Sequence, residues 1–231
     1  MNAQIALENV YRDKWPHLVE RLAPIAAKRK LSMPHLIDLN ANGYSDASVR
    51  LMVVGQQTDG WYDQIPWDGA TAETVKELVG GYDTFKLGAK YKRSPFWAAS
   101  YELCRQLNGD GNDRRFLWAN LVKIDEDCKQ PGKDVEDFMA TAFNVLPTEI
   151  SLAAPDVVVF LTGPYYDSRL ALTFHGCEFK AVKGRDKRTM SLLKHPDLPS
   201  RSYRTYHPGY LRRSKKWDII AEIAQLATAG R

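Results

Sequence analysis

At 231 residues, with 44% hydrophobic and 26% charged side chains, the chain has the composition of one soluble globular domain and the length to bury a sizeable core. Its longest apolar run, 157–162, is too short to cross a bilayer, so no membrane partner is expected. The charged first 27 residues likewise do not read as a signal peptide. Net charge is only +4, yet residues 180–216 hold twelve Lys/Arg against two acids, a net +10 that leaves −6 on the rest of the chain.

Taken in chain order, residues 3–30 read as a helix with a rough stripe of Val10, Leu18, Leu22 and Ile25, broken or kinked at Trp15-Pro16. Residues 31–49 read as a polar connection. The apolar run 50–54, ending at Gly55, predicts a strand buried on both faces. A long loop with Trp61 and Trp67 follows, then helices near 71–79 and 95–107. Residues 116–124, "FLWANLVKI", predict a second buried strand with Asn120 in its middle, and 134–152 a single helix with an acidic first turn. "DVVVFL", 156–161, is the strongest strand signal, and Thr162-Gly163-Pro164 behind it would launch a helix. Weaker strands are expected at 178–182 and 190–193. Ser214 would cap a final helix over 215–227. Strands alternating with helices predict an α/β sandwich around a mainly parallel sheet, whose ligands bind beyond the carboxyl ends of the strands.

Three widely spaced cysteines, Cys104, Cys128 and Cys177, argue against a disulfide framework or a zinc site and for a reducing cytoplasm. His17, His35, His175 and His195 show no metal-binding spacing. No metal is therefore expected; with no Gly-x-Gly-x-x-Gly or P-loop spacing either, no nucleotide cofactor is expected, and a monomer is the default.

Three stretches carry candidate chemistry. In "VVGQQTDGWYD", 53–63, Gly55 lets backbone approach a ligand while Gln56, Gln57 and Asp59 offer amides and a carboxylate. The same residues are also consistent with a simple Asx turn at Asp59-Gly60. Asn120 presents a donor and an acceptor side by side, which matches the pairing edge of a pyrimidine. "RTYHPGYLRR", 204–213, sets His207 on a Pro-Gly turn between arginines, where a strong donor would meet developing negative charge. Tyr203, Tyr206 and Tyr210 are interleaved with the basic residues, and this tilts the reading towards nucleic acid.

In this order the motifs resemble those of the uracil-DNA glycosylase superfamily. Gly55-Gln56-Gln57 stands where that superfamily has its water-positioning loop, Asn120 where it has its base reader, and His207-Pro208-Gly209 where it has its histidine loop. The resemblance spans about residues 50–213. It implies a three-layer α/β/α sandwich for a core over 50–213; with a helical extension over 1–49, which the resemblance does not cover, and a C-terminal helix over 214–231, the chain reads as one domain. It also implies a DNA glycosylase acting on a flipped pyrimidine, with a role in DNA repair or in defence against phage DNA.

On that resemblance His207 stabilises the departing base, Gln57 or Asp59 (or Asp63) positions water, and Gly55, Gln56 and Asn120 hold the base. Trp61, Tyr62 or Phe96 stacks on it. Leu211 is the wedge entering the duplex, and Gly163, Arg204, Tyr210, Arg212 and Arg213 contact DNA. Two departures, Gln57 for an acid or Asn and Thr58 for Pro, together with the long aromatic segment 60–93, make a bulky modified cytosine as plausible a substrate as uracil. Hydroxymethylated or glucosylated cytosine is such a base. The rivals are a non-catalytic nucleic-acid binder on the same fold and an α/β enzyme acting on a small phosphorylated nucleoside.

Overall fold

The computed structural model describes residues 2–229. Strand β1 (Leu51–Gly55) lies between β2 (Phe116–Asn120) and β3 (Val157–Phe160), and all fourteen residues are buried. Uninterrupted apolar strands require cover on both faces, and this is what the three "all-in" runs encode. The sheet continues from β3 to β6 (Ser202–Thr205), still parallel, and then to β5 (Met190–Lys194) and β4 (Glu178–Ala181), both antiparallel. The order β2-β1-β3-β6-β5-β4 is a mixed, mostly parallel sheet flanked by helices.

Helix α1 (Ala3–Ala26) runs through Pro16 and Pro24, so the expected break at Trp15-Pro16 does not interrupt it. Its buried face is Leu7, Tyr11, Trp15, Leu18 and Leu22, a cleaner i, i+4 stripe than the one read from Val10 and Ile25. The segment behind it is not a mere connection. Leu31, Met33, Leu36, Ile37 and Leu39 are buried, and the backbone N–H groups of Ser32 and His35 donate to the carbonyls of Asp125 and Lys123. Tyr11 donates to Glu149 at 2.7 Å, Glu149 pairs with the buried Lys123, and Ile37 N–H donates to the Tyr11 hydroxyl. One buried network thus ties the N-terminal residues into the core.

Helices α2 (Ala72–Phe85) and α3 (Pro95–Asn108) follow β1, and the α2 start is closed by a Thr71/Thr74 capping box. The expected single helix 134–152 is two, α4 (Lys133–Thr141) and α5 (Leu146–Ala153), parted where Phe143 and Val145 turn into the core. Past β3, Gly163 at φ 76° turns the chain into a short 3-10 turn and α6 (Asp167–Thr173). The last helices are α7 (Pro208–Arg213) and α8 (Asp218–Thr228). Ser214 closes α7 and does not cap α8: its hydroxyl donates back to the Tyr210 carbonyl. Among the described residues no helix is long and apolar enough to cross a membrane.

Candidate active site

The parallel strands deliver their carboxyl ends to one edge. Gly55 and Asn120 are register partners at the last position of β1 and β2. The ladder continues past them, Leu121 N–H donating to the Gly55 carbonyl and Val122 N–H to that of Gln56. Asn120 is therefore the terminal residue of its strand, not its middle. On the other side, Gln56 Nε2 donates to the Thr162 carbonyl at 2.7 Å, and Gly163 N–H donates to that of Thr205 at 2.9 Å. These bonds stitch the loops after β1, β3 and β6 together.

A pocket of about 620 Å³ opens at this edge. Gly55, Gln56, Gln57, Asp59, Trp61, Tyr62, Phe96, Asn120 and His207 all line it. Three motifs separated by up to 152 positions in sequence thus meet in one cavity. Only glycine fits at 55. A Cβ there would overlap Asn120 Oδ1 and sit 3.2 Å from the Phe96 ring. Asn120 Oδ1 accepts from Trp118 Nε1 at 3.1 Å, while its Nδ2 is buried with no partner.

His207 is the N-cap of α7. Its Nδ1 accepts from the Gly209 N–H at 3.1 Å. An accepting Nδ1 carries no proton, so the neutral ring holds its proton on Nε2 as a donor. Burial first, and then the nearby Arg213 guanidinium, lower the His207 pKa below the usual histidine value. The neutral form is therefore the one present at pH 7. Phe96 lies nearly parallel to the imidazole, 16° between planes and 6.3 Å between centres.

Gln57 Oε1 accepts from the Tyr166 hydroxyl at 2.6 Å. Asp59 is exposed and the only carboxylate in the lining. Asp63 does not line the pocket and pairs with Lys30 at 2.8 Å. The loop is pinned from beneath by Asp125, whose carboxylate accepts from the N–H groups of Gly60 and Cys128 at 2.9 Å each. Trp61, Phe85, Tyr91, Trp97 and Trp118 form an aromatic wall of the pocket. Trp61 is itself only 7% exposed, packed edge-on against His35 and Phe85.

Two expectations about the DNA-facing residues are overturned. Arg204 is 1% exposed; its guanidinium donates to Asp167 at 2.8 Å and to the Arg188 carbonyl, tying β6 to α6. It cannot reach a phosphate. Leu211 is fully buried under α7, so it is a core residue and no wedge. Strand β6 places alternate residues on both covered faces, and α7 turns its apolar side inward; local charge and turn chemistry disclose neither. Tyr210, by contrast, is 40% exposed and packs on Tyr206 at 4.3 Å. Arg212, Arg213, Lys187 and Arg188 are exposed, whereas Arg185 is spent on Asp218 and Glu222.

Sequence reasoning did not single out Trp118, Asp125 or Tyr166, the residues that orient Asn120, the loop and Gln57. Tyr166 and Gln57 are 109 positions apart and Asp125 and Gly60 are 65 apart, so no local pattern marks those pairs, whereas Trp118 lies two positions from Asn120 on the same strand face. Among the described residues no cluster of three His, Cys, Asp or Glu side chains is placed to hold a metal ion. Compared with known proteins, the chain matches no family model and no curated sequence.

Proposed function

We propose that this protein is a DNA glycosylase of the uracil-DNA glycosylase type. It would hydrolyse the N-glycosidic bond of a flipped pyrimidine and leave an abasic site. The observation that carries this reading is the convergence of Gly55-Gln56-Gln57, Asn120 and His207 on one pocket at the carboxyl edge of a mostly parallel sheet.

A pyrimidine rotated out of the stack enters the pocket and stacks on Phe96. As the bond to the sugar lengthens, negative charge gathers on the base, mainly at O2. The neutral His207 ring, with Nδ1 held by Gly209, offers Nε2–H to that oxygen. Asp59, the lining carboxylate, accepts a proton from water attacking the anomeric carbon. Gln57 is fixed beside it by Tyr166. The exposed Lys187, Arg188, Arg212 and Arg213 would meet phosphates around the mouth.

The pocket volume lies in the range of sites for ligands larger than a single ring. Its aromatic wall suits the faces of a sugar. Both features favour a hydroxymethylated or glucosylated cytosine over plain uracil. A binder without chemistry draws on one fact, that the Gln57 carbonyl is already engaged by Tyr166.

The deciding experiment uses end-labelled duplexes carrying uracil or a hydroxymethylated or glucosylated cytosine, incubated with the protein and then treated with alkali. Strand breaks are expected at the modified cytosine and are expected to fall by about 100- to 1000-fold in His207→Ala, with DNA binding retained. No breaks in either set, with salt-sensitive binding intact, would leave the binder.

A further inference from the structure

The aromatic lining of the cavity extends past the residues assigned to the base. Gly55, Phe96, Asn120 and His207 lie together: a Cβ at 55 would meet Asn120 and Phe96, and the Phe96 and His207 rings are nearly parallel. From Phe96 the ring contacts run on through Trp97 at 5.2 Å and Phe85 at 5.6 Å to Tyr91 at 6.0 Å between centres. Exposure grows along that path. Trp97 is 6% exposed and Tyr91 58%, although both line the cavity.

Tyr91 is presented in place. The 3-10 turn Lys86–Tyr91 carries Leu87 and Gly88 in left-handed backbone, and a side chain at Gly88 would run into the Trp97 indole. The Leu87 carbonyl accepts from the Tyr101 hydroxyl at 2.7 Å, and the Tyr91 carbonyl accepts from the Ser94 N–H at 2.8 Å. The Tyr91 ring tilts only 29° from that of Phe85. A ring held in this way lowers the ordering cost for a ligand that stacks on it.

The polar lining is mixed. The Asp59 carboxylate only accepts, the Gln64 carboxamide donates and accepts, and the Ser94 hydroxyl does both and makes no cap bond to α3. A hexose suits that mixture, because each of its hydroxyls donates and accepts from one oxygen while the C–H face of its ring lies flat on an aromatic side chain. We infer that Tyr91, backed by Phe85, is the platform for a hexose carried on the 5-position of the base and sets the preference for a glucosylated over a merely hydroxymethylated cytosine. This rests on reading the cavity as a pyrimidine site. The 5-position lies across the ring from C2, so with O2 at His207 a 5-substituent leaves the base on the side away from the imidazole, and Tyr91 stands three ring contacts beyond Phe96. A hydroxymethyl group adds only a carbon and an oxygen there, whereas a hexose adds a whole ring for Tyr91 to face.

The test uses the full-length protein and two duplexes of one sequence, carrying 5-hydroxymethylcytosine or its glucosylated form at a single position. Alkali cleavage gives kcat/KM for each. Quenching of tryptophan fluorescence in a His207→Ala background, where the DNA stays whole, gives binding. The glucosylated duplex is expected to be preferred about tenfold in both. Tyr91→Ala is expected to melt like the parent, because the ring is exposed, and to raise KM for the glucosylated duplex about tenfold while the hydroxymethylated duplex is processed as before. Tyr91→Phe keeps the ring and is expected to keep the preference.

Tighter binding of the glucosylated duplex, lost in Tyr91→Ala, with no cleavage of either duplex supports the inference and removes the glycosylase reading. Cleavage of both at equal rates with equal binding keeps that reading and overturns the inference. A base flanking the target is the rival occupant, since the exposed Lys90, Lys92 and Arg93 beside Tyr91 would hold its phosphates. Tyr91→Ala weakening both duplexes alike would point to that base and overturn the inference, as would a normally folded Tyr91→Ala with an unchanged preference.

Discussion

Replacing Gly55 by alanine tests the site at its tightest point. The new methyl would overlap Asn120 Oδ1 and press on Phe96 at 3.2 Å. Neither neighbour can yield cheaply. Asn120 is 1% exposed, is the register partner of residue 55, and has its carbonyl held by Trp118 at 3.1 Å. Phe96 opens α3 and packs against Trp97. Relief therefore comes from turning the Asn120 carboxamide, which gives up the indole bond and swings Nδ2 out of its place in the pocket lining.

Overpacking of this kind costs about 1–3 kcal/mol. For a chain of this length that corresponds to a fall in Tm of roughly 2–12 °C. A displacement near 1 Å at a positioning residue lowers turnover by about 100-fold. Thermal melting and the alkali-cleavage assay on one preparation read both quantities. An alanine variant with parental Tm and parental cleavage would refute the packing argument and the role given to Asn120 together.

Charge removal should separate the exposed arginines from the buried one. Replacing Arg212 and Arg213 together by alanine is expected to make the dependence of log K on log salt shallower by about 0.9 for each phosphate no longer neutralised, with Tm unchanged. Arg204→Met should do the reverse, leaving the salt slope alone while costing about 3 kcal/mol. This is the low end for a broken buried pair because Asp167 is 30% exposed; a calorimetric melt checks it, and a changed salt slope would restore Arg204 to the interface.

The buried His35 predicts a pH effect on stability. Burial first, then Lys123, hold its pKa well below the usual value, and neither ring nitrogen has a partner. The unfolded chain takes up a proton below about pH 6.5 that the folded ring refuses. Stability is therefore complete above that pH and falls below it by up to about 1.4 kcal/mol per unit. His35→Phe should flatten the slope of urea-unfolding free energy between pH 6.5 and 5; an unchanged slope would contradict the burial argument.

Much of the fold was legible locally. The runs 50–54, 116–124 and 156–161 announce strands covered on both faces, because strands of a sheet buried on both sides read as continuous apolar runs, although the second strand ends at Asn120, four residues earlier than its run. Gly55 and Gly163 likewise mark the ends of β1 and β3, where backbone must turn or approach closely. Strand β6 escaped notice because Arg204 reads as solvent-facing. Its charge is neutralised by Asp167, 37 positions away, and no local pattern carries that fact. Leu211 misled in the opposite sense: beside two arginines it reads as exposed, yet α7 turns it into the core.

The same division runs through the candidate site. The amino-acid sequence by itself determined which chemistries were on offer, namely amides at 56, 57 and 120, a carboxylate at 59 and an imidazole at 207. Side-chain identity settles what can donate, accept or titrate. Only the tertiary structure decided that these groups share one cavity, that Asp63 and Arg204 are spent elsewhere, and that Asn120 keeps a buried, unpartnered amide donor. Orientation and pairing depend on neighbours such as Trp118 and Tyr166. Tyr166 comes from a different strand's loop, so chain folding alone brings it to Gln57, whereas Trp118 shares a strand face with Asn120 two positions on and only the rings that hold it, such as His35, are remote in sequence.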